Sequence, residues 1–372
     1  MSHSFSAAVF NGVGRPLDIE TVELPQAPQA GEVLVELMAS GLCYSDLHVM
    51  KGNWAAPTPL VLGHEGAGIV RAVGKGVSTL AEGDHVVLCW TPSCGSCRFC
   101  VIGRPSLCDL AKAKASKHVM PDGTTRLRRQ GQPVHSYIAL GTFGQHAMVQ
   151  ESAAIRIRPD VPFAQASLVG CAVTTGIGAV INTAKVEAGA SVIVIGCGGV
   201  GLNVLQGARL AAAHPIVAVD REPGKLEAAR RFGATHTINP ADVDLSDAVA
   251  EITDGRGFDY SFEAIGLPTT TEDAIASIGK GGTAVLVGQV ATGQRISVDP
   301  LVISDQEKVI RGSNYGSARP AVDFPRILDL YTTGLIDLDS LITQTVGLAK
   351  INAGFDAMRN RSGIRTVVDF RA

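Results

Sequence analysis

Cys94, Cys97, Cys100 and Cys108 stand as C-x2-C-x2-C-x7-C, half of the chain's eight cysteines inside fifteen residues. Four thiolates on short loops can converge on one ion, and a closed four-sulfur shell keeps no position for substrate, so this cluster predicts structural zinc. An iron-sulfur cluster is the other chemistry four cysteines serve, but nothing else in the chain suggests electron transfer. A second set is dispersed: Cys43, His64 and Cys171, with Asp46, His48 and Glu65 close to the first two. Two thiolates and one imidazole hold zinc tetrahedrally with one position open, which is a catalytic arrangement, and Asp46 can orient His64.

A third constellation binds rather than reacts. Gly196-Cys197-Gly198-Gly199-Val200-Gly201 follows the β-branched run Val192–Ile195 and opens a helical pattern through Val204, Ala208, Ala211 and Ala212. Gly196 permits the turn, Gly198 lets backbone approach a pyrophosphate at the helix N-terminus, and Gly201 lets the helix pack on the strand. A second strand ends in Asp220, nineteen residues after the last glycine. An acid there accepts hydrogen bonds from both adenosine ribose hydroxyls and repels a 2'-phosphate, so NAD is expected over NADP.

These residues need elements to hold them. Residues 7–10, 17–23, 32–39, 69–73, 86–88 and 144–149 read as strands punctuated by glycine and proline, with a polar loop over 112–132. Beyond about residue 172 the pattern becomes helix and strand in alternation. Helices are expected over 174–183, 223–232, 247–253 and 270–278, and strands over 235–238, 259–263, 283–287 and 309–311. With the two strands of the glycine unit these make a six-stranded, doubly wound parallel α/β sheet. The final segment, with a helix over 324–332 and a strand over 366–370, has no core of its own and is expected to pack on the β-rich part. The division expected is therefore 1–172 with 313–372, enclosing 173–312.

Composition limits the function classes. With 46% hydrophobic residues and a net charge of -3, the chain reads as globular, with no basic excess to meet nucleic acid. The run Arg126 to Arg129 is expected to be solvated surface. Residues 1–9 lack the pattern of a secretory signal, and each apolar run is broken before the ~20 residues of a membrane span. A cytoplasmic protein follows as the expectation, and in that setting clustered cysteines mean metal rather than disulfides.

Gly41-Leu42-Cys43-x-Ser45-Asp46, Gly63-His64-Glu65-Gly66-Ala67-Gly68, the four-cysteine lobe, Gly170-Cys171 and the glycine turn stand in the order and approximate spacing of the zinc-containing alcohol dehydrogenases. The chain resembles that medium-chain dehydrogenase/reductase family over essentially its whole length. The resemblance implies a GroES-like catalytic domain, a Rossmann domain, two Zn2+ per subunit and NAD. It places Cys43, His64 and Cys171 on the catalytic zinc with Glu65 behind, and Ser45 against the substrate oxygen. The proton would leave through Ser45, the cofactor ribose and His48. Gly196, Gly198, Gly199, Val200 and Gly201 would carry the dinucleotide, Asp220 and Lys225 its adenosine ribose, Arg365 the pyrophosphate, and Thr175 would lie near the nicotinamide. Tyr44 is a departure, since many members place Arg or His there against the pyrophosphate. The loop over 112–132 is similar to the longer form of dimeric members and implies a homodimer.

Trp54 and Trp90 occupy places that line the substrate channel in relatives. The expected reaction is thus reversible NAD-linked oxidation of a primary aromatic, allylic or medium-sized hydrophobic alcohol to its aldehyde. The alternative is a thiol-dependent formaldehyde dehydrogenase acting on an S-hydroxymethyl adduct. That branch has an acid where Trp54 stands and an arginine near Lys112, and a lysine lacks the bidentate fork. A non-catalytic zinc and NAD binding protein is a third reading, against which all three ligands and both relay residues are present. If Asp220 selects NAD, Asp220→Gly should move the NADP-to-NAD ratio of kcat/KM up by about tenfold or more; unchanged selectivity in steady-state assays with both cofactors removes Asp220 from the argument.

Overall fold

Strand Glu32–Gly41 is apolar on both faces: Val33, Val35 and Leu37 enter one hydrophobic cluster and Leu34 the other. A strand buried on both sides needs partners on both edges, and it has them. In the computed structural model, which describes residues 2–372 apart from the side chains at 114 and 115, it pairs antiparallel with Glu65–Val73, His146–Gln150 and Arg365–Asp369. The sheet runs Ala154–Arg156, His85–Leu88, Glu65–Val73, Glu32–Gly41, Arg365–Asp369, Ile342–Val346. A closed barrel beside it joins Ser2–Phe10, Asp18–Pro25, Leu127–Arg129, Gln132–Ser136 and Leu60–Val61 around Val9, Phe10, Val22 and Leu24. This unit comprises Met1–Cys171 with Arg319–Ala372. The terminal segment therefore supplies strands to the β-rich part, and Ser313 to Ala318 fall with the other unit, against the 312/313 boundary read from the sequence.

The second unit, Ala172–Ala318, is a parallel sheet in the order His236–Ile238, Ile216–Val219, Val192–Ile195, Phe258–Glu263, Ile278–Leu286, Val309–Gly312. Numbered along the chain this is 3-2-1-4-5-6, so strand order reverses beside Val192–Ile195, the place where such sheets bind ligands. Ile193, Ile195, Val217, Val219, Ile238 and Phe258 form its core under the helices. The edge strand Val309–Gly312 is exposed at all four residues.

Three expectations change. The helix expected over 174–183 is the end of a longer helical run, Phe163–Ala184, which includes π-helical turns at Val169–Val173 and Ala179–Ala184. By length and composition it could cross a membrane, but 78% of its most apolar window is buried in the protein. Its glycines do not break it because they are contact points: a Cβ on Gly176 would meet Val200 O, and one on Gly178 would meet Gly316 O, each at 2.5 Å. The polar loop is partly ordered, with a helix over Asp109–Ala115 and a strand over Leu127–Arg129.

Arg126 is not solvated surface. It is 8% exposed and binds Glu32 (Nη2 to Oε1, 2.6 Å), Asp122 (2.7 Å) and Gln29 (3.0 Å). Asp122 is held down to about 2 by that guanidinium. Arg129 pairs with Glu20 at 2.5 Å, leaving Arg128 as the exposed member of the run. A charge count along the chain cannot see that Glu32 is buried opposite.

Candidate active site and metal centres

Strand register builds the first centre. Gly41 lies opposite Glu65 on one side and opposite Val367 on the other. Cys43, two residues past Gly41, is thereby brought to His64, one residue before Glu65. Cys171 comes from the π-helical turn Val169–Val173, an irregularity frequent at functional sites. The ligand atoms of Cys43, His64, Glu65 and Cys171 all lie within 4.8 Å of one another.

Asp46 is fully buried and accepts from Cys43 N (3.2 Å), Gly63 N (3.0 Å) and His64 Nδ1 (3.3 Å). A carboxylate only accepts, so Nδ1 carries a hydrogen and Nε2 is the nitrogen left for a metal ion. Burial disfavours an imidazolium at His64, but Asp46 and Cys43 outweigh it and lift its pKa well above the ordinary value. Cys171 hydrogen-bonds Cys43 and, with His64, holds that thiol well below its usual range against burial. Cys171 is driven the opposite way by Cys43 and by burial. The two thiols share one proton, and Cys43 is the thiolate of the pair.

Glu65 is fully buried, and burial pushes it up to about 7 despite the Arg365 guanidinium. Its Oε2 takes Arg365 Nη2 at 2.5 Å, and the same nitrogen donates to Leu42 O at 2.7 Å. Its Oε1 has no partner among the described residues. Arg365, expected on a pyrophosphate, donates to Glu65 and Leu42 O inside this cluster. Two converging thiols, an oriented imidazole and a bare buried carboxylate oxygen form a donor set that fits zinc.

The second centre is built from short turns. Cys94, Cys97, Cys100 and Cys108 also bring their sulfurs within 4.8 Å. Cys97 N–H donates to Cys94 Sγ at 3.3 Å, and backbone N–H groups of Ser96 and Cys97 pull Cys94 down to about 6. Burial pushes Cys108 the other way, up to about 11, so the fold favours the thiolate at Cys94 and Cys97, which suits a structural cation.

Ser45 and His48 lie one turn apart on helix Tyr44–Met50, hence on one face. Ser45 Oγ is 3.6 Å from Cys43 Sγ, and Asn53 Nδ2 is 3.0 Å from His48 Nδ1. Burial lowers the His48 pKa; Lys51 adds to this and Cys43 opposes it. Trp54 stacks on the His48 ring at 4.8 Å and 29°, so one face of that indole is covered by the imidazole. Trp90 is half-buried against the cluster that contains Leu37 and Leu88. Sequence reading missed Tyr137, whose ring meets His64 edge-on at 5.7 Å, and His118, stacked on Tyr137 at 5.4 Å. Burial drives His118 down to about 4. Neither residue carries a local motif; only tertiary packing brings them to His64.

In the other unit, Gly196 adopts φ +100°, and a Cβ on Gly201 would overlap Gly196 O. A Cβ on Gly198 would meet nothing within 4 Å, which leaves open backbone beside helix Gly199–Leu210. Asp220 is oriented by Cys197 N (2.8 Å) and Glu222 N (3.0 Å). Lys225 stands in the first turn of helix Pro223–Arg231, and Thr175 is half-buried in Thr174–Gly178. Open turn, oriented acid and helix N-terminus fit a dinucleotide.

The two centres predict different phenotypes. Cys43→Ser should lower kcat/KM by at least about a hundredfold, since even partners behind metal ligands cost 10–100-fold, while the lobe metal stays by elemental analysis. Cys97→Ser should lower Tm and lobe metal first. Full turnover in Cys43→Ser would sink the first assignment.

Residues 29–159 match the alcohol dehydrogenase GroES-like domain, and residues 199–333 match the zinc-binding dehydrogenase family. The chain is 41% identical to a class-3 alcohol dehydrogenase of Cereibacter sphaeroides, covering 98% of this chain and 99% of that protein. It is 41% identical to an S-(hydroxymethyl)glutathione dehydrogenase of Paracoccus denitrificans, covering 97% and 98%. Its fold superposes on benzyl alcohol dehydrogenase from Acinetobacter calcoaceticus with TM-score 0.94, at 32% identity and 99% coverage of both chains. Metal-ligand geometry, sheet order and these likenesses agree, and the chain belongs to the zinc-binding medium-chain dehydrogenase/reductase family, as an NAD-dependent oxidoreductase of the alcohol dehydrogenase type.

Proposed function

We propose that the chain oxidises the S-hydroxymethyl adduct of formaldehyde with a low-molecular-weight thiol to the S-formyl thioester. The carbinol carbon gives a hydride to NAD and the hydroxyl gives a proton, so atoms and electrons balance. The observation that carries this is 41% identity over nearly the full length to an S-(hydroxymethyl)glutathione dehydrogenase. The structure also weakens the opposing argument, because Trp54 lends a face to His48 instead of standing free as an apolar wall. Lys112 is exposed on helix Asp109–Ala115, a cation available to an anionic adduct. Oxidation of a hydrophobic or aromatic primary alcohol is the second reading, favoured by the likeness to benzyl alcohol dehydrogenase and by the Tyr137 ring against His64.

In this reading Cys43, His64 and Cys171 hold one zinc and Cys94, Cys97, Cys100 and Cys108 the other. Bound zinc supplies Lewis acidity at the substrate hydroxyl, and NAD accepts the hydride. Asp46 fixes the His64 tautomer, and Arg365 balances Glu65. Ser45 and His48, one turn apart on one helix face, are the residues that take the proton outward. Because burial lowers its pKa, His48 stays neutral and able to accept that proton near neutral pH.

NADH formation on zinc-loaded protein separates the readings. Turnover of formaldehyde that requires an added thiol is expected; turnover of benzyl alcohol with none for the adduct would return the chain to the hydrophobic-alcohol reading.

We also propose a homodimer through the edge strand. Val309 and Ile310 are 41% and 39% exposed there, and Leu301 on helix Pro300–Asp305 is 70% exposed. An apolar edge with unpaired backbone groups is a template for a second copy. Ile310→Lys should weaken self-association by about tenfold or more in sedimentation; a wild-type monomer at micromolar concentration would end the proposal.

A further inference from the structure

Strand Val192–Ile195 enters the glycine turn between two parallel neighbours, and an acid stands at the end of each. Asp220, after Ile216–Val219, is accounted for above. Glu263, the last residue of Phe258–Glu263, is level with Ile195 in the sheet and fully buried, and the reaction has so far given it nothing to do.

Its carboxylate is used unevenly. Oε1 accepts three hydrogen bonds, from Ile265 N (2.9 Å), Gly266 N (2.7 Å) and Thr270 Oγ1 (2.8 Å). Oε2 has no partner among the described residues and faces Gly288, where a Cβ would collide with it. An unpaired buried acceptor is unfavourable, so the group is not placed for general stability. Two of the bonds hold the chain corner Ala264 to Gly266, and the third ties it to Thr270 on helix Pro268–Ser277. Ile265 is 45% exposed and Leu267 51%, so the corner is held by the carboxylate rather than by apolar burial.

That corner is what the glycine turn rests on. A Cβ on Gly196 would lie 2.5 Å from Ile265 Cγ1 and 3.3 Å from the Ala264 carbonyl carbon. The turn and the corner are thus packed closely enough that only a glycine fits between them.

We propose that Glu263 is a positioning residue for the dinucleotide: by locking the Ala264 to Gly266 corner against Gly196, it sets the backbone conformation of the turn. The inference rests on the NAD-linked reaction and is independent of which hydroxyl substrate the enzyme takes.

Two variants of the full-length enzyme test it by equilibrium NADH fluorescence titration, with kinetics, zinc content and Tm alongside. Glu263→Gln keeps the volume but replaces one oxygen by a donor that has no acceptor. Thr270→Val removes one of the three donors and leaves the buried carboxylate intact. The NADH Kd and the KM for NAD should rise about tenfold for Glu263→Gln and about threefold for Thr270→Val. Zinc content and kcat at saturating NAD should stay within about twofold, a split that simple destabilisation does not produce. A lowered Tm with unchanged Kd in both variants means a structural role only and overturns the proposal. If Glu263→Gln does not fold, Thr270→Val decides alone, and an unchanged Kd there overturns it equally. A wild-type enzyme that binds no NADH would refute the dinucleotide reading and the proposal with it, whereas a failed thiol assay touches neither.

Discussion

The buried ion pair between Glu65 and Arg365 is the interaction on which the catalytic half depends. Neither charge could be left alone at that depth, since breaking such a pair by removing one partner costs about 3–5 kcal/mol. Arg365 arrives from the last strand, Glu65 opens an inner one, and Leu42 O, one residue from Cys43, shares the same guanidinium nitrogen. The C-terminal segment is thereby part of the candidate metal centre. Burial alone would favour a neutral Glu65, and the adjacent cation works against that.

Around this pair the site is organised by one-sided donors and acceptors. Asp46 accepts from three groups on two segments, which orients His64 and ties the start of helix Tyr44–Met50 to the turn before Glu65. Asp220 and Glu263 do the analogous task in the other unit, each converting a loose strand end into a defined corner. In both units a carboxylate holds backbone N–H groups in place, and the chemistry is left to other residues.

Aromatic packing has a second part in the arrangement. Trp54 and Tyr44 flank His48, and Tyr137 flanks His64. Rings placed this way limit rotation of the imidazoles and remove water from one side of each, which agrees with the lowered pKa of His48. An indole that looks like a pocket wall in a linear sequence can therefore be a support for a neighbouring imidazole.

The fold class, the four-cysteine lobe and the glycine turn were legible because each rests on short-range spacing, whereas the dispersed Cys43, His64 and Cys171 took their sense from residue chemistry and family resemblance. Three sulfurs two residues apart, or a β-branched run meeting glycines and then a helical period, need no knowledge of distant partners. Helix Asp109–Ala115, the buried Arg126, the Trp54 stack, Tyr137 and the Glu263 clamp were not legible. Arg126 needs Glu32, and Tyr137 needs His64; those partners lie far away in the chain and meet only through strand register and packing. Local spacing determined which residues could do chemistry here, whereas the tertiary structure decided which of them are buried, paired and oriented, because desolvation and hydrogen-bond direction exist only once the chain has closed around them.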